Sequence, residues 1–125
     1  MSSLSNQQNP SRAKGELCQS SVLENGGINL SAVTLIAKIT SRPETAETIA
    51  PALLKLAAES RKEAGCISYA VVRDVAEPNV FALVEEWTNM AALDAHNLMP
   101  HVHEALSQAG PLLAKAPEIG RYRSV

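Results

Sequence analysis

No run of like charge longer than two residues occurs in this chain of 125 amino acids, where 11 Lys and Arg stand against 13 Asp and Glu for a formal net charge of −2. That balance excludes an extended phosphate-binding surface, so neither nucleic acid nor an anionic membrane is expected as a partner. Arg121 and Arg123 would share one face of a strand and read as charge protection of a sheet edge. Long apolar runs are missing too: none approaches the ~18 residues of a membrane-crossing helix. Cysteine is scarce. Cys18 and Cys66 are too few for a disulfide framework, which makes a reducing, cytoplasmic setting the expected one. The N-terminus also lacks the basic, apolar and small-residue succession of a secretory signal.

Aromatic residues are few, and their placement is informative. The only Trp, the only Phe and all three His fall between Phe81 and His103. Residues 1–31, by contrast, are rich in Ser, Asn, Gln and Gly with a Gly26-Gly27 break, a composition that does not offset the entropy of folding. They are expected to form a flexible N-terminal extension, with residues 21–23 and 28–30 available for docking, ahead of a folded domain over residues 32–125. A unit of ~95 residues buries only ~60–65% of the surface of its unfolded chain, marginal for one sheet on its own.

Within that domain, residues 32–40 alternate around Val33, Leu35, Ala37 and Ile39, with Ile36 adding apolar bulk to the opposite face, the pattern of a strand covered on both sides. Ser41-Arg42-Pro43-Glu44 has capping-box spacing and predicts a helix to about Ala64, with Ile49, Leu53, Leu56, Ala57 and Ser60 or Ala64 inward and Gly65 ending it. Pro51 predicts a late start or a kink. A second strand follows over 66–74, with Ile67, Tyr69 and Val71 on one side. A turn at Glu77-Pro78-Asn79 leads to a third strand over 80–87 that presents Phe81, Leu83, Glu85 and Trp87 together. Asn89 caps a helix through Leu93 to Asn97, Pro100 separates it from a segment over 102–109 with Leu106 inward, and residues 117–125 close with a short strand. The fold class is α+β: a ferredoxin-like β-α-β-β-α-β order with an antiparallel sheet and both helices on one face. Apolar residues on the other face call for a second sheet, and a homodimer closing into a dimeric α+β barrel supplies it.

Gly65-Cys66-Ile67-Ser68-Tyr69, the hairpin with Pro78, Phe81-x-x-x-Glu85-x-Trp87, Ala92-Leu93-Asp94-Ala95-His96 and Pro100-His101 occur in succession. Together they resemble the antibiotic biosynthesis monooxygenase (ABM) family, which includes small quinol monooxygenases, over roughly residues 33–113. The resemblance implies the same fold, a homodimer, and oxidation of a small phenolic, quinol or polyketide-like aromatic substrate by O₂ with no metal, flavin or other cofactor. Haem-degrading relatives of the barrel place a Trp where this chain has His96 and a haem-ligating His where it has Leu106, which argues against haem chemistry. Two alternatives stand beside the monooxygenase: a non-catalytic small-ligand-binding stress protein, and an isomerase of a small polar metabolite that would need an anion anchor such as Arg121, Arg123 or Arg73.

For such chemistry the substrate must lose a proton in an apolar pocket, and His96 is the candidate base, its imidazole having a reference pKa of ~6.5. Glu85 and Tyr69 are candidate orienting groups, and Trp87, Phe81 and Leu83 candidate substrate-binding walls. Each has a structural alternative: a helix-end His on carbonyls, a Glu85 paired with Lys38 or Arg73, a Tyr69 hydroxyl satisfying backbone, a Trp87 that is plain core. His101 and His103 are expected on a helix surface or at an interface. The H-x4-H-x-H spacing, even with Asp94 and Glu104 nearby, fits no recognised metal pattern, so no metal is expected. Cys66 reads as a small buried residue.

Overall fold

The computed structural model describes residues 31–125, so the expectations for the N-terminal extension, Cys18 and the docking segments lie outside the described residues. Strand β1 (Val33–Thr40) leads through a 3₁₀ turn (Pro43–Thr45) into α1 (Ala46–Ser60), followed by β2 (Cys66–Arg73), β3 (Val80–Trp87), α2 (Met90–His96), α3 (Pro100–Ala109) and β4 (Glu118–Tyr122). The sheet is antiparallel throughout in the order β2-β3-β1-β4. This is the α+β, ferredoxin-like arrangement that the alternation patterns predict.

The strands divide their residues by parity. Val33, Leu35, Ala37 and Ile39 of β1 and Phe81, Leu83, Glu85 and Trp87 of β3 are buried in register beneath the helices. Helix α1 lays Ile49, Leu53, Leu56 and Ala57 onto them, a stripe at 3.6-residue spacing. Ile49, with no exposed surface, is one of several such side chains, each contributing about 1.5–3 kcal/mol by burial. Pro51 neither delays nor breaks α1. It lies on the exposed side near the helix start, where the hydrogen bond it forfeits leaves a carbonyl open to water.

Four local expectations are corrected. Ser41 does not cap α1; its hydroxyl donates to Arg42 and Asn79 carbonyls, while Asn79 Nδ2 donates back to the Ser41 carbonyl at 2.8 Å, tying the β2–β3 turn to the end of β1. Helix α1 ends at Ser60 rather than near Ala64, because the Lys62 and Glu63 amides turn back to Glu59 and Ser60 in tight turns. A bulge between Cys66 and Ser68 shifts the start of β2, so that Cys66 pairs with Trp87 and packs on the core in the place expected for Ile67. On α3 the inward residues are Val102, Ala105 and Ala109, while Leu106 is 60% exposed.

The other sheet face carries no helix among the described residues. Ile36, Val72 and Tyr122 are each at least 40% exposed there, and the Tyr122 ring folds back across Gly120, where a Cβ would stand 2.4 Å from the Tyr122 hydroxyl.

Candidate active site

Strand parity delivers the floor of the site. Residues two apart share a face, so Leu83, Glu85 and Trp87 all point from β3 toward the helices. Glu85 is 4% exposed and its Oε1 accepts the Trp87 indole N–H at 3.0 Å. Burial holds the Glu85 carboxyl above the ordinary carboxylate range, opposed by the Trp87 hydrogen bond and by the proximity of His96. The two cations weighed as its partners are elsewhere. Lys38 is exposed on the opposite parity of β1, and Arg73 pairs with Glu47 at 3.1 Å while lying 4.6 Å above the Phe81 ring.

Helix α2 brings the imidazole. The Asn89 Oδ1 accepts the Ala92 amide at 2.8 Å and fixes the helix start. Gly65 sets how closely α2 approaches: a Cβ there would sit 2.4 Å from the Ala92 Cβ, so a larger residue would push the helix away. Thus anchored, His96 in the last turn is buried, its ring centroid 4.4 Å from that of Trp87 and 6.0 Å from that of Tyr69. Its Nδ1 lies 2.7 Å from Glu63 Oε2, and its Nε2 lies 3.9 Å from Glu85 Oε1, an ion-pair separation too long for a hydrogen bond. An ionised carboxylate only accepts. With Glu63 as the acceptor the 2.7 Å contact puts a hydrogen on Nδ1, and in the neutral ring that tautomer leaves the Nε2 lone pair on the Glu85 side.

Glu63 holds a second imidazole: His101 Nε2 is 2.7 Å from the same oxygen. His101 is therefore not the surface residue expected from its helical spacing with His103, which is itself exposed. Tyr69 is 3% exposed, and burial together with the adjacent Glu85 charge pushes its phenol well above the ordinary tyrosine range, so it stays a hydrogen-bond donor. The Cys66 thiol is pushed up to about 12, chiefly by burial, and remains a thiol.

Beside these groups a cavity of about 160 Å³ opens between sheet and helices, lined by Tyr69, Leu83, Glu85, His96, Leu106, Ile119 and other, mostly apolar residues. Of the three side chains expected to wall a substrate, Leu83 lines it. Trp87 and Phe81 do not. Trp87 is fully buried and reaches the cavity only through its contacts to Glu85 and His96, while Phe81 is fully committed to the core.

Residues 32–108 match the family of antibiotic biosynthesis monooxygenases. The chain belongs to the ABM family. It is similar to protein sll1783 of Synechocystis, with 47% identity over 64 residues that make up 51% of this chain and 44% of that one; the match thus spans less than half of that relative. It is also similar to YcnE of Bacillus subtilis, 29% identical over 71% of this chain and 94% of YcnE. Among solved structures, PA3566 from Pseudomonas aeruginosa is 32% identical with a TM-score of 0.73, covering 79% of this chain and 99% of that one.

Sequence reasoning on this ABM chain missed Glu63. Arg61, Lys62, Glu63 and Ala64 are all good helix formers, so nothing in the local pattern marks the end of α1 at Ser60, which swings Glu63 toward α2 and α3. The available signal was chemical: imidazoles on both sides of Pro100 call for an acceptor, and Glu63 lies beside the Gly65-Cys66 start of a strand already expected to pair with that of Trp87.

Proposed function

We propose that this ABM protein is a homodimeric, cofactor-independent monooxygenase that oxidises a small phenol or quinol with O₂, and that His96 Nε2 takes the proton from the substrate hydroxyl. The observation that carries this reading is the clamp on His96. With Nδ1–H fixed on Glu63 at 2.7 Å, the ring has one tautomer and one orientation, and its free lone pair belongs to a group lining an apolar cavity. When the proton arrives the ring becomes an imidazolium between two carboxylates, Glu63 and Glu85, which stabilise that charge in a site of low dielectric. The resulting phenolate is the electron-rich species that reacts with O₂: one oxygen atom enters the ring, the other leaves as water, and a phenol becomes a quinone with no external reductant. Tyr69, a donor hydrogen-bonded to Glu85, orients the substrate oxygen through that carboxyl.

Cavity size favours a narrow substrate class. About 160 Å³ is close to the ~150 Å³ apolar cavity that accommodates a benzene ring, so a one-ring phenol or hydroquinone fits better than a fused-ring quinol. Among the described residues no Lys or Arg lines the cavity, which favours the monooxygenase over an isomerase that needs an anion anchor there. The exposed apolar sheet face with Ile36, Val72 and Tyr122 suits a second copy of the same sheet.

Oxygen uptake with a one-ring hydroquinone and with menadiol, corrected for autoxidation, tests the reading in wild type and His96→Ala. The expected result is faster turnover of the one-ring substrate and its loss in the variant. Equal rates in the two proteins would remove His96 from the mechanism.

A further inference from the structure

Glu63, His96 and His101 do more than fix one imidazole. One donor atom from each of Glu63, His96 and His101 lies within 4.8 Å of the other two, and Glu63 Oε2 is 2.7 Å from both His96 Nδ1 and His101 Nε2, a two-nitrogen, one-oxygen donor set drawn from three separate segments: the turn after α1, the end of α2 and the start of α3. We propose that these three residues bind a divalent cation of the zinc class, and that its binding moves the ring proton of His96 from Nδ1 to Nε2, withdrawing the lone pair from the cavity side. The second half deepens the base role given to His96 above and rests on it for its functional meaning; the binding itself does not.

Ligand chemistry and geometry support the site. Two imidazoles and a carboxylate suit zinc and its neighbours better than magnesium or calcium, which take oxygen. Bonds of ~2.0–2.1 Å in a tetrahedral site separate donor atoms by about 3.3 Å. The two His–Glu distances of 2.7 Å must therefore widen by about 0.6 Å, a movement within reach of side-chain rotation. The fourth position is left for water. Side-chain exposures of 18% for His101 and 9% for Glu63 leave a route in from solvent, while His96 is 5% exposed and held by Trp87. On the other side of the ring, Glu85 Oε1 stands 3.9 Å from His96 Nε2. A carboxylate that accepts from the second nitrogen of a metal-bound histidine is a common way to hold its tautomer, and Glu85 must close by roughly 1 Å to do so.

The proton accounting follows from the ring. A metal on Nδ1 needs the lone pair there, so the neutral imidazole carries its hydrogen on Nε2 and becomes a donor toward Glu85. Zinc-loaded protein then presents no imidazole lone pair to the cavity. Occupation would act as a reversible off-switch for substrate deprotonation.

Chelator-treated full-length protein, titrated with Zn²⁺ by calorimetry and with Co²⁺ by visible absorption, should bind one ion per chain with the spectrum of low-coordinate cobalt. His101→Ala and Glu63→Gln should each weaken binding by roughly 100-fold or more, since even the partners of metal ligands contribute 10–100-fold. His103→Ala, on the exposed side of α3, should leave binding unchanged. Nitrogen-15 NMR of the imidazoles should report His96 as Nδ1–H without metal and Nε2–H with zinc. Absence of one-to-one binding in wild type, or binding insensitive to His101→Ala, would overturn the site. An unchanged His96 tautomer in the zinc-loaded protein would overturn the switch. These readouts need no turnover, so a protein that binds zinc but is inactive in its metal-free form would count against the monooxygenase reading and leave the site standing.

Discussion

Glu85 and Glu86 are neighbours on one strand, identical in chemistry and opposite in circumstance. Glu85 points beneath the helices, 4% exposed, with Trp87 Nε1 donating to it and His96 alongside. Glu86 points to the open sheet face, exposed, where it accepts the Ser68 hydroxyl at 3.0 Å. The same alternation divides the whole sheet. One face gathers a desolvated acid, a clamped imidazole and an apolar cavity; the other offers Ile36, Val72 and Tyr122 to solvent. On the proposed function the difference separates chemistry from assembly, and substitutions on the two faces should fail in different ways.

The largest effects belong to the covered face. Trp87→Ala removes a side chain with no exposed surface and one of the donors to Glu85, so it should cost about 3–5 kcal/mol in denaturant unfolding. His96→Ala should leave the fold assembled by circular dichroism but reduce quinol-dependent oxygen uptake by roughly 10²–10⁴-fold, the range for loss of a general base. Ile36→Lys is the matching test on the open face. It should leave monomer stability within about 0.5 kcal/mol, because the residue is 40% exposed in the single chain, while shifting sedimentation toward monomer. If Ile36→Lys stays dimeric, or if His96→Ala changes assembly and not activity, the division between the faces is wrong.

How far this could be read in advance follows the same division. Period-two alternation in β1 and β3 and period-3.6 spacing in α1 are local, and they carried the element order, the sheet topology and the sharing of one face by Glu85 and Trp87. Asn89 announced α2 by its cap chemistry. What stayed hidden depends on contacts between distant residues or on small backbone choices. Glu63 and His96 are 33 positions apart, and no periodicity links a turn residue to a helix end. The bulge at Cys66 adds one residue to β2 and reverses which neighbour faces the core, a shift invisible to a pattern that assumes regular pleating. Leu106 was misplaced for a third reason: the smaller Ala105 and Ala109 take the inward positions of α3, and the larger side chain is left at the cavity rim.

The smallest predicted effect is the sharpest test of the comparison, because it applies one substitution to both neighbours. Burial raises the Glu85 carboxyl above its unfolded value, so between the unfolded and folded pKa the native state binds more protons than the unfolded state, and stability falls as pH rises through that window. Below the window both states are protonated and the cost vanishes; above it the cost is complete. Glu85→Gln retains an oxygen for the Trp87 indole and removes the buried charge. It should therefore raise stability by about 1 kcal/mol at pH 8 and by almost nothing at pH 4, while slowing oxygen uptake because the imidazolium loses a counter-charge. Glu86→Gln keeps an acceptor for Ser68 in water and should stay within about 0.5 kcal/mol at both pH values, with activity intact. Urea unfolding at the two pH values measures all four cases. Equal responses at the two positions would mean that the environment of Glu85 imposes no cost, and the case for a charge held there for function would fall with it.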